Sequence, residues 1–168
     1  MGVTSSHEQQ VEFELFHSPS KGPLSKEAVF SEIEHTVVDQ IEHYEVIVGA
    51  DSQLRRSSTS FAIVISLIQK GRGGTFFYHT FQRHHFPSLQ QRIYSEAFYA
   101  VGLASELRQY FKERQIELPI RLHFDIGRNG PTNKFVGYLL SVANTNDFPA
   151  DIKPDSFCAS TIADKFTK

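Results

Sequence analysis

The sequence predicts a mixed α/β domain, and three observations carry that reading. Five runs rich in β-branched and apolar residues lie at 45–51, 60–69, 75–82, 120–126 and 150–153. Between and around them, over 25–43, 89–114 and 133–142, apolar residues recur at helical spacing. Turns bearing Gly or Pro at 70–74, 87–88, 119 and 127–131 separate the two kinds of segment.

Each element has its own local reason. Residues 1–24 read as a flexible N-terminal segment, polar at its start and closing on a loop, Ser18-Pro19-Ser20-Lys21-Gly22-Pro23. Ser25 is an N-cap for a leading helix to about His43, with Phe30, Ile33, Val37 and Ile41 on one side. Glu45 to Ala50 is a strand that runs into Asp51. Ser60 to Gln69 is nearly continuous in apolar residues, as in a strand buried on both faces. Lys70-Gly71-Arg72-Gly73-Gly74 turns it into Thr75–Gln82, making a hairpin. Pro87 and Ser88 precede a long helix from Leu89 to about Arg114, and Ile120–Ile126 is the fourth strand. Asn133–Val142 is helical, Ala150–Lys153 a short fifth strand, and Ser156–Lys168 a final helix. Residues 25–168 therefore form a single domain, leading helix included.

Composition bounds the function. A chain of 168 residues, 40% hydrophobic and 21% charged, buries a core without disulfides. Cys158 is the single cysteine, which excludes an intramolecular disulfide, and its neighbours do not mark it as a nucleophile. The N-terminus has no apolar signal region, and the longest apolar run, 61–68, is interrupted by Ser66. A cytoplasmic protein with no membrane partner is the expectation.

The net charge of −2 hides a strong asymmetry. Residues 1–51 carry ten acidic and two basic side chains, whereas 52–95 carry six basic ones and no Asp or Glu. Arg55, Arg56, Arg83 and their neighbours would attract phosphates, or simply form a solvated basic hairpin.

Four carboxylates stand out. Asp51 ends an apolar strand and Asp125 nearly ends another, where ligands gather in open α/β sheets, though an Asp there also serves as a turn cap. In the long helix Leu89, Ile93, Ala100, Leu103, Ala104, Leu107 and Phe111 form one apolar stripe. Glu96 falls inside that stripe, which is costly unless the carboxylate is paired, holds a metal or reaches solvent past the sheet edge. Asp164 lies four residues before Lys168 and by pattern alone reads as a surface ion pair. Clustered carboxylates bind hard divalent cations, and two such ions about 4 Å apart can serve the attacking and leaving oxygens of a phosphodiester. His84-His85 is a poor chelate because adjacent side chains point apart, and His123 alternates in phase with Asp125.

Three segments carry a resemblance: Val48-Gly49-Ala50-Asp51-Ser52-Gln53, His123-Phe124-Asp125-Ile126-Gly127, and Lys153-Pro154-Asp155-Ser156 through Ala163-Asp164-Lys165. Together, in this order, they resemble the YkuK-type bacterial proteins, which are grouped with the ribonuclease H-like folds. The likeness spans about residues 40 to 168. It implies a five-stranded mixed sheet in the order 3-2-1-4-5, with strand 2 antiparallel, flanked by helices, to which the leading helix is an addition. It also implies a site of four carboxylates, Asp51, Glu96, Asp125 and Asp164, as both catalytic groups and ligands of Mg²⁺ or Mn²⁺. The function that follows is a metal-dependent nuclease acting on RNA, an RNA–DNA hybrid or another nucleic acid, with Arg55, Arg56, Arg83 and Lys165 on phosphates. The alternative is a binding or regulatory module that keeps the fold without cleavage.

Overall fold

The computed structural model describes residues 14–84, 86 and 88–156. A seven-stranded mixed sheet organises them. In chain order its strands are β1 (Leu15–Ser18), β2 (Gly22–Ser25), β3 (Tyr44–Leu54), β4 (Ser58–Gln69), β5 (Gly73–His84), β6 (Ile120–Gly127) and β7 (Ala150–Lys153). The helices are α1 (Lys26–Val37), α2 (Leu89–Glu113) and α3 (Val136–Thr145). The spatial order of strands is β2-β1-β5-β4-β3-β6-β7.

Five of these strands, β5-β4-β3-β6-β7, reproduce the expected order 3-2-1-4-5. β4 runs antiparallel to both its neighbours, while β3–β6 and β6–β7 are parallel. The sheet differs from expectation at one edge. Residues 15–24, read as part of a flexible segment and a loop, form with Ser25 the β1–β2 hairpin, which adds to β5 through His17 opposite Tyr78. The physical reason is twofold. Phe16 is fully buried, and Pro23 lies on the outermost strand, where a missing N–H breaks no ladder.

The helices form where their caps allow. Ser25 Oγ accepts the Ala28 N–H at the start of α1, and Ser88 Oγ accepts the Gln91 N–H at the start of α2. The leading helix stops at Val37, shorter than expected, and one 3₁₀ turn at Ile41–His43 leads into β3. Ile93, Ala97, Ala100, Leu103, Ala104, Leu107 and Phe111 of α2 pack with residues of α1 and α3 on one face of the sheet, against Val46, Val48, Ala50, Ile63, Ile65, Leu122, Phe124 and Ile126. Alternate residues of the same strands, Ile47 and Val64, form a smaller cluster on the opposite face with Ile68, Phe76 and Tyr78. No described helix is long and apolar enough to cross a membrane.

Candidate active site

The site forms where the parallel ladder between β3 and β6 ends. The last paired residues are Gly49 and His123. Asp51 and Asp125 each lie two residues further on, in the same phase, on neighbouring strands. Asp51 is not the end of its strand, because β3 continues to Leu54 in register with β4. The continuation holds Asp51 opposite Ala62 in a fixed ladder, which a free turn cap would lack.

Glu96 meets this place from the helix. It sits in the second turn of α2, and the Ser52 hydroxyl donates to its Oε1 at 2.5 Å. Ser52 shares the phase of Val48 and Ala50, so it faces α2; Asp51 alternates with it, yet its charge still acts on the Glu96 carboxyl. Loss of water around the Glu96 carboxyl pushes its pKa well above 4.5, and the negative charge of Asp51 pushes it further. The Ser52 hydrogen bond opposes this, Asp125 adds to it, and Arg92, one turn earlier on α2, also opposes it. Glu96 thus feels the negative charge of both Asp51 and Asp125.

Asp125 has its own cation. Lys153 Nζ of β7 lies 2.9 Å from Asp125 Oδ1. The contact is an ion pair without hydrogen-bond alignment, so Oδ1 remains buried with no hydrogen bond among the described residues. His123, two residues earlier, is only 3% exposed and pairs through Nε2 with Asp151 at 3.3 Å. Burial lowers its pKa while Asp151 raises it, and lowering prevails. His123 is therefore a satisfied sheet histidine in the site's neighbourhood.

The basic segment splits in two. Arg55 and Arg56 occupy the β3–β4 connection, and Arg83 and His84 lie across β4 from it, opposite Thr59 and Ser58. These four residues lie toward the same end of the strands as Asp51. The buried Thr59 Oγ1 also accepts the Phe86 N–H, tying the approach to α2 to the same end. Lys70 and Arg72, by contrast, lie at the other end of the β4–β5 hairpin, where they line a cavity of about 270 Å³ with Gln40, His43 and Gln69. The basic residues of 52–95 therefore do not form one face. Twelve-residue strands put the two ends of that hairpin about 40 Å apart.

The donors fit a hard divalent cation in type. All are oxygen, and Asp125 Oδ1 is a buried acceptor lacking a hydrogen bond among the described residues. Among those residues, however, no three His, Cys, Asp or Glu side chains converge closely enough to hold an ion. Asp164 and Lys165, with Cys158 and His85, lie outside the described residues. Sequence reasoning missed Ser52, Arg92 and Lys153 as parts of the site. Ser52 and Lys153 stand in the quoted segments, and Arg92 is one helical turn before Glu96.

A Bacillus subtilis (strain 168) relative, the uncharacterized protein YkuK, is 28% identical over 168 residues, covering 92% of this chain and 97% of that protein. No solved structure is a significant match. The sequence model of the family described as Ribonuclease H-like matches residues 28–168, in agreement with the sheet order: the chain belongs to the ribonuclease H-like family.

Proposed function

We propose that this protein is a divalent-cation-dependent hydrolase of phosphodiesters in RNA, an RNA–DNA hybrid or another nucleic acid. The observation that carries the reading is the placement of Asp51 and Asp125 in phase just past the end of the β3–β6 ladder, with Ser52 of the same strand bonded to Glu96 of α2 and Arg55, Arg56 and Arg83 toward the same strand ends. Membership of the ribonuclease H-like family supports it.

Asp51, Glu96 and Asp125, with Asp164 from the tail, would hold Mg²⁺ or Mn²⁺. A bound divalent cation supplies Lewis acidity toward a phosphodiester. The chain's own residues do the rest. Ser52 fixes the Glu96 carboxyl, so that one ligand is oriented before any ion arrives. Arg55, Arg56, Arg83 and Lys165 would draw and position phosphates, carrying no base information. A ring of carboxylates repels nucleic acid, and neighbouring cations offset that repulsion.

One observation favours a second reading, a binding or regulatory module. No three ligating side chains converge among the described residues. The test is a panel of labelled single-stranded RNA, RNA–DNA hybrid and DNA, incubated with Mg²⁺, Mn²⁺ or EDTA. The proposal expects cleavage of at least one substrate with a divalent cation and none in EDTA. Binding without cleavage under every condition would establish the module instead.

A further inference from the structure

We propose that Lys153 is a tethered counter-ion for Asp125, which a divalent cation must displace and which then turns to the phosphate of the substrate. The second half rests on the nuclease reading above. The pairing of Lys153 with Asp125 stands on the geometry, and its displacement by a divalent cation rests, like the second half, on the nuclease reading.

The register between β6 and β7 places this lysine. Leu122 pairs with Ala150 and His123 with Asp151, but the next pair is Gly127 with Lys153. Three residues of β6, including Asp125, therefore face the single Ile152 of β7. Such an irregularity re-aims side chains. It puts Lys153 opposite Gly127, beyond Asp125, so its side chain must run back to meet the carboxylate.

Gly127 leaves room for that path. A Cβ at this position would lie 3.3 Å from Lys153 Cβ and 3.8 Å from its Cδ. The lysine stem thus crosses the bare glycine. Gly127 is held there by its N–H, which donates to Thr132 Oγ1 at 3.0 Å.

The neighbouring carboxylate shows what a fixed pair looks like on the same strands. Asp151 accepts Arg121 Nη1 at 3.4 Å and lies 3.3 Å from His123 Nε2. Asp125 instead has an ammonium without hydrogen-bond alignment, on a side chain that is 54% exposed. A flexible, strongly hydrated ammonium is suited to exchange. Held at Asp125, it offsets repulsion among Asp51, Glu96 and Asp125. A divalent cation on the same oxygen would repel it outward, where the four-carbon tether keeps its charge beside the site.

The test uses Lys153→Met, which keeps the stem and removes the charge, and Lys153→Arg, which keeps the charge. Calorimetric titration with Mn²⁺ alone should give about fivefold tighter binding for Lys153→Met and near-parental binding for Lys153→Arg. Single-stranded RNA binding by Lys153→Met should weaken, with a salt slope smaller by about one. Unchanged or weaker Mn²⁺ binding by Lys153→Met would overturn the counter-ion role. An unchanged salt slope would overturn the phosphate role. If the parent takes up no Mn²⁺, the nuclease reading fails, and melting of metal-free Lys153→Met, Asp125→Asn and the double variant decides the pairing. Non-additive shifts support it, and additive shifts overturn it.

Discussion

The Ser52 hydroxyl donates to Glu96 Oε1 at 2.5 Å, joining the extension of β3 to the second turn of α2. This bond, between residues 44 apart in sequence, links the strand that carries Asp51 to the helix that carries Glu96. It is also the main attraction that opposes the upward shift of the Glu96 pKa.

Ser52→Ala should therefore act in two ways. The half-buried carboxyl loses its donor, at a cost of about 1 kcal/mol, or roughly 2–4 °C in Tm for a chain of this size. The Glu96 pKa should also rise further, because a contribution that lowers it is gone. Thermal melting and carboxyl titration by NMR check both. An unchanged Glu96 titration would show that the bond does not hold the carboxyl.

The pH dependence follows from the same group. The Glu96 pKa in the folded protein is raised above its ordinary value of 4.5, so the folded state holds this proton more tightly than the unfolded one. The stability that this contributes is fully present below about pH 4.5 and is lost as pH rises through the folded value. In metal-free buffer Glu96→Gln should flatten that decline, since the amide cannot ionise. Denaturant melts of parent and variant across the acid-to-neutral range measure it. Parallel pH profiles would contradict the burial and charge argument.

Much of this site was legible because the relevant signals are local. The stripe of α2 marked Glu96, and the apolar runs before Asp51 and Asp125 marked their strands. The β1–β2 hairpin was not legible, because Pro23 reads as a loop signal when its place at the sheet edge is unknown. The split of the basic segment was hidden for a similar reason. Lys70 and Arg72 are close in sequence to Arg83, yet an intervening 12-residue strand carries them to the opposite end. Lys153 depends on an irregular register between β6 and β7, which no periodicity encodes.

Arg55 and Arg56 mark the end at which phosphates should bind. Replacing both with Ala should weaken nucleic-acid binding to a similar degree for all sequences and lower the salt slope by about two. Lys70→Ala, at the far end of the hairpin, should have a smaller effect at the site. Fluorescence anisotropy over a salt series separates these outcomes. A sequence-dependent loss, or a larger loss from Lys70→Ala, would move the binding surface elsewhere.

In the proposed reading Asp51 serves chemistry at the expense of the fold. Without metal, Asp51 repels Glu96, and Asn removes that charge at nearly constant shape. The most direct measurement is cleavage of a labelled RNA–DNA hybrid in Mn²⁺ by the parent and by Asp51→Asn, with the Tm of each in metal-free buffer. The expected result is cleavage by the parent alone and a Tm for Asp51→Asn equal to or above the parent's. Equal cleavage by both proteins, or a variant that melts well below the parent, would contradict it.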